Sequence, residues 1–199
     1  MGKKLGIGCL GIIGLFVILG ILGSIFGGGS SSHKDNSNNS KSTKQEVQAE
    51  PEYTCDIEGV GKVVGKISSN VGIAIYKIEE RDVLGDNPYL QKKPQGKFVV
   101  VSIVVSNEQK DAVTVDASSF KLIDKDGREY SYSTEGQTAI QMGNGDAKGF
   151  LTKLNPGITT NFEIPYDVPK KLELSNISLK ARGGMTGKEI SLPLVVQKK

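Results

Sequence analysis

The residues able to do chemistry are few, and their spacing is poor for it. Histidine occurs once, at His33, and cysteine twice, at Cys9 and Cys55. A zinc site of the cysteine type needs about four ligands. Nucleophilic catalysis needs a base beside the hydroxyl or thiol. His33 falls in a polar, low-complexity segment, so no histidine base serves the rest of the chain. Cys9 and Cys55 lie in segments of different character, and we expect no disulfide between them. Two acidic groups remain. Asp124, Asp126 and Glu129 suggest calcium, but a calcium loop of the helix–loop–helix kind runs on to a bidentate glutamate. Here the run stops at Gly127, and a hairpin turn is expected instead. Glu79, Glu80 and Asp82 form the second group. Adjacent strand residues point to opposite faces, so Glu79 and Glu80 are not an acid/base pair. The stretch Gly6-Ile7-Gly8-Cys9-Leu10-Gly11 matches a dinucleotide fingerprint, yet that motif needs a strand before it and an amphipathic helix after it. No catalytic residue, cofactor or metal is therefore expected. An envelope enzyme working with carboxylates alone is the residual catalytic reading.

Recognition is better served. The segment 82–96, DVLGDNPYLQKKPQG, sets Tyr89 and Leu90 beside Lys92 and Lys93. Long loops on rigid scaffolds often carry binding, and tyrosine beside basic residues makes a contact patch. The simpler reading has the loop's apolar residues tucked onto a sheet edge. A second long loop is expected over 133–149, with a glycine-rich tip at Met142-Gly143-Asn144-Gly145-Asp146 and one helical turn over 137–142.

Charge narrows the partners. Lys and Arg number 25 against 22 Asp and Glu, a net of +3. The signs are mixed along the chain, with no basic stripe, so nucleic acid is not expected as a partner. Residues 5–26 carry no charge and reach roughly 33 Å as a helix, against a hydrocarbon core of about 30 Å. A membrane-spanning anchor in contact with lipid is expected there. Lys3 and Lys4 favour a cytoplasmic N-terminus and an external C-terminal domain. A cleaved leader followed by secretion is the alternative. Residues 27–52 are rich in Ser, Asn, Gly and Lys and read as a flexible stalk.

Residues 53–199 read as a β domain. Ile158, Thr160, Phe162, Ile164, Tyr166 and Val168 alternate with polar neighbours, as do Ile190, Leu192, Leu194 and Val196. Pro165 and Pro193 mark these as edge strands or bulged ones, because proline cannot donate to a ladder. The run FVVVSIVV at 98–105 is apolar on both faces and reads as a central strand covered on two sides. The alternation slips between Ile75 and Ile78, where a bulge is expected. Eight or nine strands and no long helix point to a sandwich or barrel.

The order Gly96-Lys97-Phe98-Val99-Val100-Val101, Asn107, then Phe120-Lys121-Leu122-Ile123-Asp124-Lys125-Asp126-Gly127-Arg128-Glu129-Tyr130, then Asn155-Pro156-Gly157 and Tyr166-Asp167-Val168-Pro169, resembles the bacterial domain of unknown function 4352 family, of the telokin-like, immunoprotective extracellular group. The resemblance runs over residues 59–196. It implies an all-β, immunoglobulin-like antiparallel β-sandwich, displayed behind a membrane anchor or lipoprotein signal, with no agreed catalytic residues. Phe98, Asn107, Phe120, Asp124, Gly127, Tyr130, Pro156, Gly157, Phe162, Tyr166 and Pro169 are then fold-defining. Tyr166 stands where Phe is common, and its hydroxyl suggests a partly wet site. The expected role is a surface-displayed binding or structural module with an envelope or extracellular protein as partner. An accessory subunit acting through the N-terminal helix on a transporter or sensor is the alternative.

Overall fold

The computed structural model describes residues 7–8, 52–144 and 151–197, and the run FVVVSIVV sets its plan. In chain order the strands are β1 (Ile7–Gly8), β2 (Glu52–Ile57), β3 (Gly61–Ser68), β4 (Val71–Arg81), β5 (Lys97–Asn107), β6 (Val113–Val115), β7 (Phe120–Ile123), β8 (Glu129–Tyr130), β9 (Thr152–Leu154), β10 (Thr159–Val168), β11 (Ser178–Arg182) and β12 (Glu189–Pro193). One helix, α1 (Thr134–Asn144), lies between β8 and β9. Among the described residues every strand pairing is antiparallel. One sheet runs β1-β2-β3-β4-β5-β10, a second β12-β11-β7-β8, and β6 pairs with β9. The fold is an all-β antiparallel sandwich.

β5 is buried at every position from Phe98 to Asn107. Its odd positions, Val99, Val101, Ile103 and Val105, face the second sheet. There they join Ile73 and Ile75 of β4 and Phe162, Ile164 and Tyr166 of β10 against Phe120, Leu122, Leu179, Ala181, Ile190 and Leu192. This is the period-2 pattern expressed as packing. Pro165 and Pro193 sit in β10 and β12, an edge strand of each sheet, where a missing N–H costs no ladder bond. The slip in β4 is a register shift between Ile75 and Lys77.

Two covers shield the other face of β5. At one end α1 lays Ala139 and Ile140 on Phe98 and Val100, with Leu84 filling the gap. At the other end the β2–β3 hairpin folds over the sheet, placing Tyr53, Cys55, Ile57 and Val63 on Ala74 and Val104. The hairpin fits because β4 has no side chain beneath it at Gly72. A Cβ there would stand 2.3 Å from the Tyr53 ring. Burial pushes the Tyr53 phenol up to about 12, against the weaker opposing pull of Ser106.

Four expectations change. The 133–149 loop contains an eleven-residue helix. Its buried stripe, Gly136, Ala139 and Ile140, follows the i, i+3, i+4 rule, but glycine and alanine give it little hydropathy. Ser133 caps it, its Oγ accepting the Gly136 N–H at 3.1 Å, which satisfies one of the helix's free donors. Tyr166 is fully buried, not partly wet, and its hydroxyl donates to the Phe120 carbonyl of the opposite sheet at 3.3 Å. Ile7–Gly8, placed by hydropathy in the anchor, pairs with Ile57 and Asp56 of β2. A strand there and a helix crossing a membrane from Leu5 are mutually exclusive. The rest of the anchor, and the stalk up to Pro51, lie outside the described residues. Among the described residues no helix is long and apolar enough to cross a membrane. Finally, Cys55 is disulfide-bonded, against the expectation that the cysteines stay apart. The β1 register brings the N-terminal strand within one residue step of Cys55.

Gly72→Ala should unseat the hairpin and cost about 1–3 kcal/mol, as overpacking does, read as a lower urea midpoint. An unchanged midpoint would show that the hairpin does not rest on β4. Gln137 of α1 is fully buried, with neither amide atom hydrogen-bonded. Gln137→Met keeps its length and removes that cost, so stability should rise by about 1–3 kcal/mol.

Candidate functional site

The loop 82–96 leaves β4 and returns into β5, and its ends are clamped. Leu84 is buried under α1. Leu84 N–H donates to the Lys92 carbonyl at 2.9 Å, and Lys92 N–H to the Leu84 carbonyl at 2.8 Å. Gly85 passes so close to α1 that a Cβ on it would touch Ala139 at 3.4 Å, with the Leu90 carbonyl equally near. Beyond the clamp Asn87 builds the tip. Its carbonyl accepts Leu90 N–H at 2.9 Å, and its Oδ1 accepts Tyr89 N–H at 3.0 Å. Such an asparagine turn holds its shape without help from the rest of the fold. The return limb is held by Asp167 of β10, whose carboxylate accepts Gln95 N–H at 2.7 Å and Gly96 N–H at 3.0 Å.

The result is a tip held at its base and at its return limb, with its side chains in solvent. Tyr89 is 95 % exposed and Leu90 42 %. Lys92 and Lys93 are exposed beside them. Met142, one turn beyond Ala139 on α1, is 61 % exposed. Of the two readings of this loop, the tucked one holds for Leu84 alone. The four residues singled out from sequence come together in the structure. The sequence assigned α1 to a separate loop, and only the structure shows Ala139 and Ile140 packed on Leu84 at the base of this one.

The acidic groups are committed elsewhere. Asp124 is buried at the β7–β8 turn. Its Oδ1 accepts the N–H groups of Asp126 and Arg128, both at 2.9 Å, and its Oδ2 accepts the Tyr130 hydroxyl at 3.0 Å. Burial pushes this carboxyl up, but the donors from Arg128, Tyr130 and Asp126 outweigh it and hold the group below the usual carboxylate range. Gly127 completes the turn with a φ of +79°, open to glycine and costly for other residues. Glu79 is paired with Lys77 at 2.7 Å and with Arg81, while Glu80 pairs with Lys97 at 2.7 Å. On the solvent face of the second sheet, Glu129 bridges Lys121 and Lys180, and Glu189 bridges Lys180 and Arg182, at 2.8–3.1 Å. Each carboxylate there is shared between two cations.

The other sequence-selected residues are pins and core. Asn107 donates through Nδ2 to the carbonyls of Asp111 and Leu154 and accepts Gln109 N–H on Oδ1. Its backbone carbonyl accepts Gly157 N–H at 2.8 Å, in the turn that also contains Pro156. Pro169 accepts Leu172 N–H where β10 ends. Phe120 and Phe162 lie between the sheets, and Phe98 lies under α1.

Residues 62–189 match the family model described as Domain of unknown function (DUF4352). The chain belongs to the DUF4352 family. The DUF4352 domain is also similar to three solved structures. A conserved hypothetical protein from Bacillus anthracis shares 17 % identity over 61 % of this chain and 87 % of its own, with a TM-score of 0.46. The yjhA protein from Bacillus subtilis shares 14 % over 59 % and 77 %, with a TM-score of 0.44. The secreted protein MPT63 from Mycobacterium tuberculosis shares 18 % over 70 % and 88 %, with a TM-score of 0.40. No curated protein sequence matches the chain.

Asp124 makes the DUF4352 domain acid-sensitive in a defined direction. A lowered carboxyl stabilises the fold above its unfolded pKa of about 4 and loses that contribution as pH falls through its folded value. The stability gap between the native protein and Asp124→Asn should therefore be full at pH 6 and shrink on acidification below the unfolded pKa of about 4, as read from thermal melts on either side of it. A gap independent of pH would show that the carboxylate's charge is not what the turn uses.

Proposed function

We propose that this chain is a non-catalytic binding module displayed outside the membrane of a bacterial cell envelope, with the loop 82–96 as its contact surface. One observation carries the reading: Tyr89 is almost wholly exposed on a loop clamped at its base by Leu84 and Lys92 and at its return by Asp167. Exposing a large aromatic side chain gives up its burial energy, about 1.5–3 kcal/mol for a side chain of this size. Fixing the backbone around it removes the ordering cost of a later contact. Together they describe a preorganised recognition element.

The charged chemistry supports a non-catalytic role. Glu79, Glu80, Glu129 and Glu189 are ion-paired, and Asp124 and Asp167 serve backbone turns. Export is supported by the disulfide at Cys55, since such bonds persist in oxidising compartments. Display is supported by the hydropathy of the apolar run beyond the Ile7–Gly8 strand, residues 9–26, and by the polar stalk 27–52.

A photo-crosslinking amino acid at position 89, compared with one at Lys153, tests the reading on intact cells. Adducts with envelope material from position 89 alone are the expected result. Equal yields from both positions, or none from either, would count against a contact surface at this loop.

A further inference from the structure

The first sheet ends at β10, which has β5 on one side of it and no strand on the other. In an antiparallel strand the N–H and C=O of one residue point to the same side, and the sides alternate along the chain. Pro165 directs its carbonyl away from β5, where it accepts the Ser133 N–H at 2.7 Å. Thr159, Asn161 and Glu163 share that parity, so their backbone groups also point out of the sheet. Among the described residues none of the three has a backbone partner on that side. The edge is therefore shut at Pro165, by a ring without an N–H and by the Ser133 contact, and open over 159–163. An open edge is a template for a further strand.

We propose that this edge pairs with the same edge of a second copy of the chain, antiparallel about a two-fold axis at Asn161. The contact does not involve the 82–96 loop and is independent of the binding reading above. The residues themselves fix the register. An axis at Asn161 sets every open residue opposite an open one: Asn161 faces Asn161 of the second copy, and Glu163 faces its Thr159. Each such pair exchanges two N–H···O bonds, so no donor or acceptor of the open stretch is left over. Moving the axis one residue either way sets an open residue opposite Gly157, whose N–H is spent on the Asn107 carbonyl, or opposite Pro165. An axis at Glu163 sets carboxylate against carboxylate, which is destabilising. With the axis at Asn161 the two Glu163 side chains lie four residues apart, roughly 13 Å at about 3.3 Å per residue. Pro165 then stands opposite Gly157 of the second copy, a position with open space where a side chain would be. A foreign strand would make the same backbone bonds; the match of the stretch to itself in length and charge is what selects a second copy. So short a strand buries less than the roughly 800 Å² per partner of a stable complex, which makes this a weak, isologous contact.

The test uses cysteine substitutions in the full-length protein expressed in cells, read on non-reducing gels after mild oxidation. The residues of a hydrogen-bonded pair stand about 5.5 Å apart at Cα, inside the disulfide range of about 4.4–6.8 Å. Asn161→Cys should therefore give a covalent dimer. Thr159→Cys and Glu163→Cys should each give none alone, and a dimer when the two are expressed together. Lys153→Cys, exposed on β9, sets the background. In sedimentation of the purified protein, Asn161→Pro should weaken dimerisation about tenfold or more, for two bonds lost per dimer. Its melting temperature should hold, because the N–H removed is not bonded to β5. Thr159→Lys and Thr159→Glu lose the same hydroxyl bond to Ser106 and so compare charge alone, even if the proline variant melts early. Lysine opposite Glu163 should tighten the dimer and glutamate loosen it, each about fourfold, from two contacts at roughly twofold apiece. A yield from Asn161→Cys no higher than from Lys153→Cys overturns the proposal. So does an equal yield from Thr159→Cys alone, which would be collision without register. Cross-linking of position 161 to a different protein would mean that the edge takes a foreign strand, and the second copy falls.

Discussion

β5 has no solvent face, and the rest of the domain is arranged to keep it so. A strand buried on both sides is ordinary in a parallel sheet, where helices flank it. It is a heavier demand in an antiparallel sandwich, which supplies only one inner layer. The second sheet covers Val99, Val101, Ile103 and Val105. Leaving Phe98, Val100 and Val104 bare would forfeit roughly 5–9 kcal/mol, at about 1.5–3 kcal/mol for each side chain. That is comparable to the whole net stability of a domain, about 5–15 kcal/mol. The helix and the folded-over hairpin are therefore structural necessities.

The same demand explains what the polar residues do. Chain crossing over a covered sheet must turn sharply near buried backbone, and buried N–H and C=O groups need partners. Asn107, Asp124 and Asp167 meet that need with side-chain-to-backbone hydrogen bonds at three turns. Tyr166 does so across the sandwich, from β10 to the carbonyl of Phe120. Residues that look like candidate acids or ligands in the sequence are thus spent on geometry.

A sheet covered on both faces offers little open surface at its middle. The second sheet's solvent face is occupied by mutually shared ion pairs. Recognition is left to the ends of the sandwich, where loops project. The 82–96 loop is suited to it because Leu84 belongs to the core cover while Tyr89, five residues on, belongs to solvent. The residue that completes the cover also holds the tip in place.

The sequence by itself determined the strands whose patterning is local. The two-faced run at 98–105, the alternation through Phe162 and Tyr166, the slip in β4 and the Asp124–Gly127 turn were all legible, because period-2 burial and turn chemistry are written in neighbouring residues. The edge positions of Pro165 and Pro193 were legible for the same reason. Tertiary structure alone decided how the second face of β5 is covered. The α1 stripe of Gly136, Ala139 and Ile140 is too small to show in hydropathy, and it becomes a cover only where Phe98 and Val100 present themselves to it. The fit of Tyr53 over Gly72, the full burial of the Tyr166 hydroxyl and the disulfide at Cys55 depend on contacts between residues distant in the chain. The candidate site divides the same way: Tyr89, Leu90, Lys92 and Lys93 could be picked out by type, whereas their exposure, and the clamp made by Leu84 under α1 and by Asp167 of β10, exist only once the strands bring those segments to one end.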